Sequence, residues 1–130
     1  MFHDFFRKVG VILSENSSSA SETQYKKTKS LNEIRVHVHS DLARKWTVRE
    51  MAEMEGLNPT RFALEYKVLF GVSPIDDLID ARVNRAEYML THLAYTIKQI
   101  AKECGFDSEE YFSRAFHRRR GCTPSQSRKQ

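Results

Sequence analysis

An internal repeat limits the folds open to this chain more than any other feature of its sequence. Residues 47–74 read TVREMAEMEGLNPTRFALEYKVLFGVSP, and residues 96–124 read TIKQIAKECGFDSEEYFSRAFHRRRGCTP. The matched pairs are Thr47/Thr96, Ala52/Ala101, Gly56/Gly105, Phe62/Phe112, Gly71/Gly121 and Pro74/Pro124. They lie 49 positions apart up to the first glycine and 50 apart from the phenylalanine onward, so the second copy has one extra residue after that glycine. Each copy has the outline of two short helices joined by a tight glycine turn, which is a helix-turn-helix.

Capping residues mark where the helices begin. Thr47 and Thr96 are each followed three positions later by Glu or Gln, the spacing of a capping box. A capping side chain also stands before a proline at Asn58-Pro59 and at Ser73-Pro74, and Asp107 or Ser108 can cap the last long helix. The predicted helices are 31–43, 47–54, 59–70, 74–92, 96–103 and 108–119, with a short turn after Pro124.

Segment 31–42 is compatible with two secondary structures. Its IRVHVH stretch alternates like a strand, while Leu31, Ile34, Val38 and Leu42 form a helical stripe. A helix is favoured, because no second strand is available to pair with it. The sequence therefore predicts an all-α domain over 31–130. Its units are a first helix-turn-helix at 31–72, a long linker helix at 74–92 and a second helix-turn-helix at 96–130, in a homeodomain-like tandem.

Two segments precede this domain. Residues 1–13 carry an apolar stripe at helical spacing, which predicts a helix for dimerisation or domain packing, or the remnant of an upstream domain. Residues 14–30 are polar and serine-rich, which predicts a flexible linker.

Composition excludes several function classes. The net charge of +4 is compatible with nucleic acid, and residues 105–130 hold six Lys and Arg against three acids. Cys104 and Cys122 lack a disulfide-framework spacing, so a reducing cytoplasm is expected. No apolar run approaches the ~18 residues of a membrane span. Catalytic sets and phosphate-binding glycine loops are also missing, and His37 and His39 lack partners at metal-ligand spacing. We therefore expect no enzyme activity, cofactor or metal.

The outward faces of the second helix in each repeat are the predicted DNA-contacting surfaces, because that helix enters the major groove in a helix-turn-helix. Arginine can pair with guanine, glutamate can accept from cytosine N4, and serine can serve either base. The predicted base-facing residues are Thr60, Arg61, Ala63 and Leu64 in the first unit and Glu109, Glu110, Ser113 and Arg114 in the second. The predicted phosphate contacts are Lys67, His117 and Arg118, and the adjoining Arg119 and Arg120 also suit phosphates. The arginine-rich end of this helix can alternatively be only a solvated helix terminus.

Four stretches are specific enough to suggest a family. They are residues 82–86 (RVNRA), 100–106 (IAKECGF), 111–114 (YFSR) with Phe116, and 121–124 (GCTP). With them, the chain from about Leu31 to Arg128 resembles the DNA-binding domain of the AraC/XylS family of bacterial transcription activators. The resemblance implies a sequence-specific regulator that docks helices 59–70 and 108–119 in successive major-groove segments of double-stranded DNA. It also implies RNA polymerase as a further partner and a cytoplasmic location at the nucleoid. Many members of the family carry an upstream sensor domain, so the chain is expected to be either a short, unliganded member or the end of a longer regulator.

The first unit departs from the family pattern. Ala63 and Leu64 stand where similar proteins carry polar or basic residues, and Val68 and Leu69 replace a charged pair. Ala63 and Leu64 can only touch a thymine methyl group or pack on protein. The alternative function is therefore a protein-interaction module that keeps the fold but binds DNA weakly or without specificity.

Overall fold

The computed structural model describes residues 18–130, and within them the chain forms seven α-helices and no strand. The all-α prediction is thereby confirmed, and the helical interpretation of 31–42 is correct as far as His39. The helices are α1 (Ser18–His39), α2 (Val48–Glu53), α3 (Pro59–Phe70), α4 (Pro74–His92), α5 (Ile97–Glu103), α6 (Glu109–Arg120) and α7 (Pro124–Lys129). Helices α2 and α3 form the first helix-turn-helix, α5 and α6 form the second, and α4 joins them.

The predicted caps are present, with one difference. Thr96 and Gln99 exchange both hydrogen bonds of a capping box at the start of α5. At α2, Thr47 Oγ1 accepts from the Glu50 amide, but the Glu50 carboxylate is 2.9 Å from Arg44 Nη2 and does not return a bond to the Thr47 amide. The capping box predicted at Thr47 is therefore only half formed, because Arg44 pairs with the Glu50 carboxylate.

Residues 18–30 form the first part of α1, so the flexible linker predicted over 14–30 is wrong for this stretch. Serine weakens a helix by only a few tenths of a kcal/mol per residue, roughly, so tertiary contacts can override it. Lys27 supplies one such contact, with its Nζ 3.0 Å from Glu65 Oε1 on α3. The predictions for residues 1–13, and for 14–17, lie outside the described residues.

Each repeat has its own apolar cluster, and α4 contributes to both. The first cluster contains Leu31, Ile34, Val38, Leu42, Trp46, Met51, Ala52, Phe62, Tyr66 and Leu78. The second contains Val83, Ala86, Met89, Leu90, Ile100, Ala101, Cys104, Phe106, Phe112, Ala115 and Phe116. The phenylalanines Phe62, Phe112 and Phe116 are fully buried. Because α4 packs against both clusters, it fixes the orientation of the two units relative to each other.

Arg82 on α4 connects the two units at the point where the clusters meet. Its buried side chain donates from Nε to the carbonyl of Leu42 at 2.9 Å and from Nη2 to the carbonyl of Arg44 at 2.8 Å. Gly105, in the turn of the second unit, lies against the same group with φ +92°. A Cβ atom there would overlap the Leu42 carbonyl oxygen and lie 2.8 Å from Arg82 Nε. Gly105 is therefore required for close approach as well as for its backbone conformation.

Asp77 on α4 organises a second polar contact inside the first unit. It is buried, and it accepts hydrogen bonds from Arg35 Nε at 2.8 Å and from the Tyr66 hydroxyl. His39 Nε2 lies 3.4 Å away. Burial opposes ionisation, but the bonds from Arg35 and Tyr66 outweigh it, so the pKa of Asp77 lies below its ordinary value. Burial and the Asp77 carboxylate raise the pKa of Tyr66, which stays protonated as a donor.

We expect Gly105→Ala to destabilise the chain more than Gly56→Ala does. Gly56 also has a positive φ, +64°, but a Cβ atom there meets nothing within 4 Å. Its substitution should cost about 1–2 kcal/mol for the left-handed backbone alone. Gly105→Ala should cost about 1–3 kcal/mol more, because the methyl group displaces Arg82 or Leu42. Urea unfolding followed by circular dichroism measures both, and equal losses would contradict the close-approach role.

Asp77→Asn should lower stability at neutral pH and flatten the acid-induced loss of stability. The pKa of Asp77 is below its unfolded value of about 3.9, so its contribution is complete above that pH and disappears as the pH falls through the folded value. We expect a loss of about 1.5–3 kcal/mol at neutral pH. Urea unfolding between neutral pH and about pH 2 tests this. Asp76→Asn is the matched control, because Asp76 is exposed on the same turn, and a parallel acid profile in both variants would refute the assignment.

Candidate nucleic-acid interface

Helix α6 has one buried face and one exposed face, set by the spacing of its aromatic residues. Ser108 caps it by accepting from the Tyr111 amide, and Gly121 ends it in the left-handed conformation, with φ +77°. Phe112, Ala115 and Phe116 face the core of the second unit. The predicted DNA-contacting residues occupy the rest of the surface: Glu109, Glu110, Arg114, His117 and Arg118 are exposed, and Ser113 is half-buried. The structure therefore brings these six residues onto one accessible helix face.

The four basic residues at the end of α6 divide into two pairs. Arg119 Nε is hydrogen-bonded to Asp80 of α4, and Arg120 Nε lies 3.1 Å from Glu87 of the same helix. These two arginines attach the end of α6 to the linker helix, so the expectation that they suit phosphates does not match the structure. His117 and Arg118 stay exposed, and no acid among the described residues pairs with Arg114 or Arg118. The solvent-facing cations of α6 are thus Arg114 and Arg118, with His117 beside them.

Two lysines that were not predicted belong to the same surface. Lys98 and Lys102, on α5, line a cleft together with Glu109 and Glu110 at the start of α6. They are exposed and four residues apart, while Ile100 and Ala101 between them are buried. The i,i+4 spacing of these lysines could have predicted that they share one exposed face. The lysines add positive charge where the first turn of α6 is acidic.

Helix α3 presents the equivalent surface in the first unit. Thr60, Arg61, Leu64 and Lys67 are exposed and Ala63 is half-buried, while Phe62 and Tyr66 face the core. The register matches α6 with an offset of 50 residues, so Ala63, Leu64 and Lys67 stand where Ser113, Arg114 and His117 stand in the second unit. These three predicted contacts of the first unit therefore occupy the same positions as predicted contacts of the second.

Glu65 changes the charge of the α3 surface. Its carboxylate lies 3.1 Å from Arg61 Nε and 3.0 Å from Lys27 Nζ. Burial works against its charge, but the hydrogen bonds from Lys27 and Arg61 hold the pKa of Glu65 below its ordinary value. Arg61 is therefore partly neutralised, which the i,i+4 spacing of residues 61 and 65 could have indicated. Lys67 is left as the cation of this face without an ion pair among the described residues.

The described residues contain no metal cluster and no membrane-spanning helix. Between residues 18 and 130, no group of three His, Cys, Asp or Glu side chains is arranged to hold a metal ion. No helix in the same range is both long and apolar enough to cross a membrane. What the surface offers chemically is two helix faces of matching register, one polar and basic and the other partly apolar.

Comparison with known proteins supplies an independent test of this architecture. A family model described as a helix-turn-helix domain matches residues 51–130. The chain is similar to the virulence regulon transcriptional activator VirF of Yersinia enterocolitica, with 35% identity over 83 residues, which is 64% of this chain and 31% of that protein. It is also similar to the HTH-type transcriptional regulator ExsA of Pseudomonas aeruginosa, with 35% identity over 64% of this chain and 30% of that protein. The chain thus spans about a third of the length of these relatives.

A solved structure shares the same arrangement of helices. The DNA-binding domain of AdpA, in complex with a target DNA, matches with a TM-score of 0.74 and 26% identity. The match covers 76% of this chain and 89% of that one. It supports the two-unit architecture along almost the whole of that domain.

Proposed function

Because the chain belongs to the AraC/XylS family of helix-turn-helix transcription regulators, we propose that it binds specific DNA sequences and activates transcription. Helices α3 and α6 are the two recognition helices. The observation that carries the proposal is the division of charge on α6. Arg119 and Arg120 are tied to the linker helix, while Arg114, His117 and Arg118 face solvent on the side opposite the buried aromatic residues.

The second unit has the chemistry for reading base edges by hydrogen bonds. Arg114 is the residue for bidentate pairing with guanine O6 and N7, and Glu109 and Glu110 are acceptors for cytosine N4. Ser113 can donate or accept at either base. His117 and Arg118 lie one turn further along the helix and serve the phosphate backbone, together with Lys98 and Lys102 of the neighbouring cleft.

The first unit adds fewer polar groups. Thr60 and Arg61 are its hydrogen-bonding side chains near the start of α3, and Lys67 is its phosphate contact. Ala63 and Leu64 complete the surface that faces the bases. Since Glu65 competes for Arg61, this unit contributes less electrostatic attraction than the second.

The length of α4 suits two adjacent major-groove segments. Its 19 residues make a rod of about 28 Å, close to the ~34 Å between successive major grooves once the turns at each end are added. The contacts of Arg82 hold both units on this helix, so the two recognition helices keep a fixed spacing. The DNA must therefore present two major-groove segments at that spacing, or bend to do so, and a smooth bend costs about 1–6 kcal/mol.

The partners beyond DNA are proposed from the relatives. VirF is named a transcriptional activator, and activation implies contact with RNA polymerase in the cytoplasm, at the nucleoid. The relatives are about three times as long as the matched region, which fits an upstream sensor domain, and residues 2–13 are the proposed attachment to that domain or to a dimer partner. The alternative of a protein-interaction module with weak DNA binding is not favoured, since the AdpA domain of the same fold carries DNA.

DNA affinity should depend steeply on salt. Each phosphate neutralised by a lysine or arginine contributes about −0.9 to the slope of log K against log salt concentration. Fluorescence anisotropy with a selected DNA site, measured over a salt series, gives this slope. A flat response would remove the proposed function.

Arg114→Ala and Arg118→Ala should have different effects on binding. Loss of Arg114 should relax the preference at one base pair by about 1–3 kcal/mol, because its hydrogen bonds read a base. Loss of Arg118 should weaken all sequences alike and reduce the salt slope by about 1. In vitro selection from random DNA followed by salt titration separates the two variants. An identical selected sequence for Arg114→Ala and the unaltered chain would contradict the role of Arg114.

A further inference from the structure

The outer face of α3 carries an apolar strip that the fold of the first unit does not use. Leu64 is 64% exposed and Val68 is 84% exposed. One turn apart on the helix, they lie on the side away from Phe62 and Tyr66, which fill the core. Burial therefore gives no reason for apolar side chains at these two positions.

The apolar strip occupies the positions on α3 that correspond to the proposed DNA-contacting face of α6. With the repeat offset of 50 residues, Leu64 and Val68 correspond to Arg114 and Arg118 on α6. They therefore occupy the surface that the second unit turns toward DNA. Lys67 lies beside the strip, exposed, and gives it a cationic border suited to a phosphate backbone. Ala63, which is small and half-buried, allows the helix backbone to approach a groove floor closely.

An apolar side chain in the major groove favours thymine, because thymine alone presents a C5-methyl group there, beside its O4 acceptor. Guanine, adenine and cytosine offer no methyl group, and their hydrogen-bonding groups lose water without gaining a partner against leucine or valine. We infer that α3 selects thymine by methyl contact, with Leu64 as the specificity-determining residue and Val68 extending the apolar strip. The inference rests on the proposed function, since it assigns a base to a helix proposed to enter DNA.

This assignment gives the two units different recognition chemistry. The second unit reads polar base edges with charged groups, and its contribution weakens with salt. The first reads methyl groups by burial of apolar surface, a contribution that salt screening does not weaken. A bound site should therefore contain thymines in the segment read by α3 and polar contacts to guanine or cytosine in the segment read by α6.

Replacement of thymine by uracil tests the inference, because it removes only the methyl group. The site is first selected from random DNA with the 130-residue chain, and the segment read by α3 is located by repeating the selection with Leu64→Ala and with Arg114→Ala. Deoxyuridine is then placed at each thymine of that segment, and affinity is measured by fluorescence anisotropy. We expect about fourfold weaker binding for the methyl group in contact, the contribution of one buried carbon. Deoxyuridine in the segment read by α6 is the matched control on the DNA.

Variants of the chain complete the test. Leu64→Ala should reduce the difference in affinity between thymine-containing and uracil-containing sites, since the side chain that reaches the methyl group is shortened to a single carbon. Leu64→Met should keep the discrimination, because it retains an apolar side chain of similar volume. Circular dichroism should show that all variants fold, as residue 64 is exposed.

The outcomes separate this inference from the proposed function. Equal affinity of the unaltered chain for the two kinds of DNA overturns the thymine assignment and leaves the proposed function standing. An unchanged site and affinity for Leu64→Ala also overturns it, and leaves the strip to a protein partner. Absence of any selected sequence together with a flat salt response removes both.

Discussion

The contacts of Arg82 are the interaction on which the two-unit arrangement depends. A guanidinium group placed in the interior is costly unless its donors are paired. Two carbonyls of the first unit, those of Leu42 and Arg44, accept from it, while the Gly105 turn of the second unit closes over it. Hydrogen bonds to a charged group contribute about 1.5–3 kcal/mol each. Two helix-turn-helix repeats with separate apolar clusters are thereby held on one linker helix, and the spacing of their recognition helices follows from this junction.

The linker helix also decides which charges remain available to a ligand. Asp77 is used internally by Arg35 and Tyr66, and further along α4 Asp80 and Glu87 hold Arg119 and Arg120. A count of basic residues near the C-terminus therefore overstates the positive surface. What remains for DNA is a smaller set in which Arg114 and Arg118 are exposed in one register on α6, next to the lysines of α5.

The same scaffold supports two kinds of recognition surface because the inner and outer faces of a recognition helix are independent. Phe62 and Tyr66 on α3 correspond to Phe112 and Phe116 on α6, and all four are buried. The outer positions are free of packing, so Leu64 can stand where Arg114 stands without cost to the fold. The first unit therefore carries less positive charge than the second, and under the proposed function the second unit and the rigid linker would place it in the groove.

The sequence by itself determined the five helices from α2 to α6, the residues that cap their starts, the paired turns and the faces of α3 and α6. These follow from local rules: the spacing of apolar residues, glycine at positive φ, and Ser, Thr or Asn before the first turn. Tertiary structure decided the rest. Residues 18–30 are helical against their composition, where Lys27 reaches Glu65. The Glu50 carboxylate pairs with Arg44 and does not accept from the Thr47 amide, and Arg119 and Arg120 pair with acids of α4. Each of these depends on which charges meet between different elements. Local spacing rules predict the elements themselves and do not predict which side chains pair between them.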